Sequence, residues 1–200
     1  MKIFSNISFG KKLKATCQVK TGSGEAKPCQ IYELNKKDDI DYFCKLKKRK
    51  EWSNGEYLEI TNQMMLSPLT NRGLRTYSLE TKEDGCIGYI STHDFDFIKD
   101  KTYVEFLETC PQYTSENKRR GIKYIGQTLL AFVVGLADKE DKTRVCISST
   151  APKSRKFYTK GCGFRQDYNG KDGLILNSQS YEKFLNKHKE NTGKEIEFIA

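Results

Sequence analysis

The chain has 200 residues, of which 36% are hydrophobic and 12% aromatic, and it carries a formal charge of +9. Large Tyr and Phe side chains can build a core without many aliphatics, so the composition excludes a disordered chain and suits one folded domain. No apolar run reaches the length of a membrane span, and the basic balance favours acidic partners such as nucleotide or coenzyme phosphates and RNA.

The first 27 residues form an N-terminal extension or a first strand, with weak alternation over 13–19 and a turn at Thr21-Gly-Ser-Gly24. Residues 28–200 read as a single domain. It opens with a strand at 29–34 and a helix over 40–50, which an Asp of the Asn35-Lys-Lys-Asp-Asp39 stretch can cap. Lys47-Lys-Arg-Lys50 at the end of that helix suits the helix dipole or a polyanion. Residues 51–75 form an irregular connector containing Trp52, Tyr57, Met64 and Met65.

Strands are then predicted at 76–80 and 86–90 about a Lys82-Glu-Asp-Gly85 turn, and a third at 102–109. The three make an antiparallel meander. Helix 124–137 follows from the spacing of Ile125, Leu129, Phe132, Val133 and Leu136. Because a helix joins them, the strand at 143–149 must lie parallel to 102–109. A helix after Ala151, a strand at 173–176, a helix at 181–189 and an end strand at 195–199 complete the chain.

Seven cysteines, at 17, 29, 44, 86, 110, 146 and 162, include no Cys-x-x-Cys pair, and only two His accompany them. No zinc spacing is present, and several of these thiols sit in apolar runs. They are expected to be buried and free in a reducing compartment, with a cytoplasmic location and no membrane partner. Cys110 has no nearby His to activate it and reads as a buried thiol. His93 with Asp94 and Asp96 reads as a hydrated loop.

Before the long helix, cations and glycines crowd together at Lys118, Arg119, Arg120, Gly121, Lys123 and Gly126. Free N–H groups at a helix start, with the dipole behind them, bind phosphate. Downstream, Ala151-Pro-Lys-Ser-Arg-Lys-Phe-Tyr-Thr-Lys-Gly-Cys-Gly-Phe164 resembles the Asn-Pro-x-Ala-x-x-Phe-Tyr-x-Lys-x-Gly-Phe signature of GNAT-superfamily N-acetyltransferases. Ile125-Gly126-Gln127-Thr128-Leu129-Leu130 resembles the end of that family's pyrophosphate loop, and the two segments occur in the family's order. The likeness spans roughly residues 76–165. The sequence departs from the pattern in having Tyr124 where the family usually has Gly, Ala151 for Asn, and one extra residue before Gly163-Phe164.

The resemblance implies an α/β fold of α+β type. Its sheet would be mixed, mostly antiparallel and twisted, with helices on both faces and a splayed parallel strand pair. It also implies acetyl-CoA as acyl donor, without a metal, and direct attack by an amine in a ternary complex. On this basis the diphosphate is held by Arg120, Gly121, Ile122, Lys123, Tyr124, Ile125, Gly126, Gln127 and Thr128, chiefly through main-chain N–H groups. Tyr158 falls at the family's acid position. Glu105 and Glu108, expected on opposite strand faces, offer one carboxylate to relay the amine's proton. The acceptor is open between a small molecule, a protein and aminoacyl-tRNA, and a homodimer is allowed. The competing reading is a basic RNA- or polyanion-binding module on the same scaffold without catalysis.

Overall fold

The computed structural model describes residues 11–34, 74–93, 99–110, 113, 121–148, 152–167 and 173–199. The expected helix at 40–50, the Lys47–Lys50 cluster, nearly all of the connector, Cys44, Asp94, Asp96 and Arg120 lie outside these residues.

Five strands run antiparallel in chain order: β1 (Lys12–Thr21), β2 (Ala26–Glu33), β3 (Leu74–Thr81), β4 (Gly85–His93) and β5 (Lys101–Thr109). In β1, Ala15, Cys17 and Val19 point inward by simple alternation. β4 is buried along nearly its whole length, as a central strand covered on both faces must be. After β5 come β6 (Ile122–Lys123), α1 (Ile125–Lys139) and β7 (Arg144–Ser148). Next are α2 (Pro152–Lys156), β8 (Arg165–Gln166), β9 (Gly173–Asn177), α3 (Tyr181–Thr192) and β10 (Glu197–Phe198).

The sheet order is β10-β1-β2-β3-β4-β5-β7-β9-β8, with β6 also on β1. One pair is parallel, β5 with β7, as the helical connection requires. The sheet is therefore mixed and mostly antiparallel. Among the described residues no helix is long and apolar enough to cross a membrane.

α1 is buried because its apolar residues come at three- and four-residue spacing. It packs with β1, β4, β5 and α3 over the main core. Phe132 meets Tyr77 edge-on at 4.9 Å and stacks on Phe198 at 5.5 Å. A smaller cluster of Leu34, Cys86, Tyr89 and Cys110 lies on the opposite face. Among the described residues, Cys17, Cys29, Cys86, Cys110, Cys146 and Cys162 are all buried thiols outside any disulfide. Burial pushes the Cys29 and Cys162 thiols up to about 12 and Cys146 up to about 11, so these stay protonated and unreactive.

Candidate active site at the strand fork

Among the described residues β5 and β7 pair from Lys101↔Arg144 to Val104↔Ile147, while β5 continues to Thr109 beside β4. The fork opens at a β-bulge. Ser91 pairs with Phe106 and Thr92 with Val104, so Glu105 is the extra residue in β5. A bulge bends its strand and raises its twist, which carries the second half of β5 away from β7.

The same bulge corrects the expected placement of the two carboxylates. Glu108 accepts a hydrogen bond from the Tyr89 hydroxyl, and Glu105 lies 3.8 Å from His93 Nδ1. Tyr89 and His93 are four residues apart in β4, hence on one face. Glu105 and Glu108 therefore share that face, away from α1. His93 ends β4 and was not singled out with Glu105, because only the strand register brings them together.

At the mouth of the fork, β6 ties the approach to α1 back to β1 through Thr21↔Ile122 and Lys20↔Lys123. Gly121 opens this approach, and Lys123 donates from Nζ to the Gly22 carbonyl at 3.1 Å. Tyr124 is the N-cap, with φ 70° and ψ 11°, and its side chain caps nothing. This left-handed backbone is the one glycine adopts freely. A non-glycine residue in it costs about 1–2 kcal/mol. Tyr124→Gly is expected to raise stability by about 0.5–1 kcal/mol once glycine's larger unfolded-state entropy is deducted. Chemical denaturation measures this, and a destabilised variant would contradict it.

The first turn of α1 has no acidic residue. Among the described residues nothing accepts from the N–H groups of 125–127. Thr128 is different. Its N–H makes the first helical bond, to the Tyr124 carbonyl at 2.8 Å, so it is not one of the open donors. A Cβ on Gly126 would lie 3.3 Å from the Phe157 ring and 3.7 Å from Leu107. Position 126 thus has no room to spare where β5, α1 and the segment after β7 converge. No sequence signal points to this contact of Phe157 with position 126, which the tertiary fold alone creates.

The additional residue ahead of Gly163-Phe164 is absorbed by a π turn over Phe157–Gly161, in which the Cys162 N–H reaches back five residues to the Phe157 carbonyl at 3.1 Å. Within it Tyr158 is only 7% exposed and packs against Phe157 and Phe164. Among the described residues nothing hydrogen-bonds its hydroxyl. Burial, aided by the nearby Cys162, pushes the phenol up to about 12. Cys110 is fully buried in the smaller cluster.

No sequence-family profile matches the chain, nor does any curated protein at the level of sequence. Solved structures do. A protein of the GNAT family from Desulfovibrio desulfuricans superposes with a TM-score of 0.55 at 14% identity, covering 75% of this chain and 99% of that one. AtaTR bound with acetyl-CoA gives 0.54 at 19% identity, over 78% and 96%. The dodecameric spermidine N-acetyltransferase from Vibrio cholerae gives 0.51 at 12% identity, over 76% and 95%. Identities this low speak for architecture alone. The chain has the fold of the GNAT acetyltransferases.

Proposed function

We propose that the chain is an N-acyltransferase that moves an acetyl group from acetyl-CoA to a primary amine. The observation that carries this reading is the uncapped, acid-free start of α1 at the point where β5 and β7 part. Open N–H groups at 125–127, with the helix dipole behind them, suit a diphosphate. Lys123 adds positive charge nearby, Ile122 and Gly121 form the approach, and Arg120 is the next cation in the sequence. Acetyl-CoA, when bound, supplies a thioester open to direct attack by the amine.

Tyr158 serves as the proton donor to the departing sulfur. Its raised pKa keeps the hydroxyl protonated at neutral pH, the form that can donate. Either Glu105 or Glu108 relays the proton leaving the amine through water. Glu105 is the more exposed and lies beside His93, whereas Glu108 is engaged by Tyr89. The amine itself belongs to a small molecule, a protein or an aminoacyl-tRNA. Spermidine is the acceptor named for one structural neighbour and is a sensible first probe.

Isothermal titration with acetyl-CoA tests the reading. Binding is expected between about 1 µM and 1 mM, the ordinary span for enzyme substrates. The absence of binding at millimolar ligand would remove the proposal. Tyr158→Phe is expected to lower kcat by about tenfold or more while leaving acetyl-CoA affinity unchanged. It removes a hydroxyl with no hydrogen-bond partner among the described residues, so the melting temperature should stay put. An unaltered kcat would end the acid role but not the donor site.

A further inference from the structure

Position 127, the third of α1, holds a glutamine. A glutamine there can fold back onto the free N–H groups of the first turn and occupy donors that an anion would otherwise take. Here it does not. Gln127 is buried, and its Oε1 accepts from Asn191 Nδ2 of α3 at 3.0 Å. One residue on, the buried Thr128 Oγ1 pairs with Nε2 of the buried His188, also on α3, at 3.0 Å. The last turn of α3 is itself fastened: the Thr192 hydroxyl donates to the His188 carbonyl at 2.9 Å. Gln18 Nε2 of β1 donates to the Thr192 carbonyl at 2.7 Å. Two neighbouring polar side chains in the first turn of α1 are therefore held by an anchored helix, and the main-chain donors beside them are left open.

We propose that Asn191, backed by His188, is a positioning residue for the acyl donor. It draws the Gln127 carboxamide away from the helix mouth and so keeps the N–H groups there available for a diphosphate. This rests on the acetyl-CoA reading above. With Asn191→Ala, Gln127 is free to fold back and compete.

Titration with coenzyme A tests the idea. Asn191→Ala is expected to weaken binding about fivefold, the worth of one competing hydrogen bond. The double variant Asn191→Ala/Gln127→Ala lacks the competing carboxamide but keeps the main-chain N–H of 127, the only part of that residue assigned to the diphosphate, and is expected to return to within about twofold of wild type. A merely structural role for Asn191 would leave the double variant as weak as the single one or weaker, and that result would overturn the inference. So would wild-type affinity in Asn191→Ala. Amide hydrogen exchange at residues 125–127 is the second readout and needs no ligand. Slower exchange in Asn191→Ala than in wild type supports the steering of Gln127, and equal rates overturn it. Should the wild type fail to bind coenzyme A, the acyl-donor reading falls and takes the inference with it. Binding by the wild type with an indifferent Asn191→Ala removes the inference alone.

Discussion

Gly88→Val is expected to destabilise the protein by about 3 kcal/mol or more, through overpacking between β4 and α1. A Cβ at this position would stand 2.6 Å from Cγ2 of Ile125, 3.0 Å from the Glu108 carbonyl oxygen and 3.1 Å from Cδ1 of Leu129. Ile125 and Leu129 are themselves buried, and the carbonyl belongs to the adjoining strand, so none of the three can swing aside. Valine adds two further methyl groups to the clash. Urea unfolding should show a lower midpoint with an unchanged slope, and Gly88→Ala should fall between the two. Because Ile125 begins α1, acetyl-CoA affinity should drop in the variant even where it remains folded. A wild-type midpoint for Gly88→Val would refute the packing argument.

Acid should expose a second vulnerability, at His188. Burial pushes its imidazole down from an ordinary 6.5 to about 4. The unfolded chain therefore takes up a proton as pH falls through 6.5, while the folded chain keeps this ring neutral until about 4. The associated stability is whole above pH 6.5 and drains away between there and about 4, reaching a loss of about 3 kcal/mol from this one group. Other carboxylates titrate in the same interval, so the informative quantity is a difference. His188→Gln should flatten the dependence of the urea midpoint on pH in this window. Parallel curves for wild type and variant would show that the ring is not the source.

Which parts of this molecule could be read from residues alone follows from the range of the interactions that set them. α1 was legible because its apolar spacing is a property of neighbours within two turns. The parallel pairing of β5 with β7 was legible because a helical connection leaves no alternative. The bulge at Glu105 was not, since it exists only in the register between β4 and β5, and with it went the facing of both carboxylates. β6 and β8, two residues each, are too short to carry any alternation. The extra residue near Gly163 could be counted in the sequence, but not that the backbone would widen into a π turn to house it. Tyr124 showed as a departure from the family's glycine, and its left-handed backbone gives that departure a conformational meaning. The grip of Asn191 and His188 on α1 joins residues some sixty positions apart through polar side chains, which leave no periodic trace.

Both outermost strands of the described sheet, β10 and β8, are only two residues long. A long bare border would offer a row of unmatched amides and carbonyls to any passing polypeptide, and such borders seed intermolecular β-assembly. Here the outermost rows are two residues each, and β6 covers the long β1 again at Lys20 and Thr21. Concentrated solutions of the folded chain should therefore resist fibre growth, with thioflavin fluorescence staying at baseline under conditions that leave the fold intact.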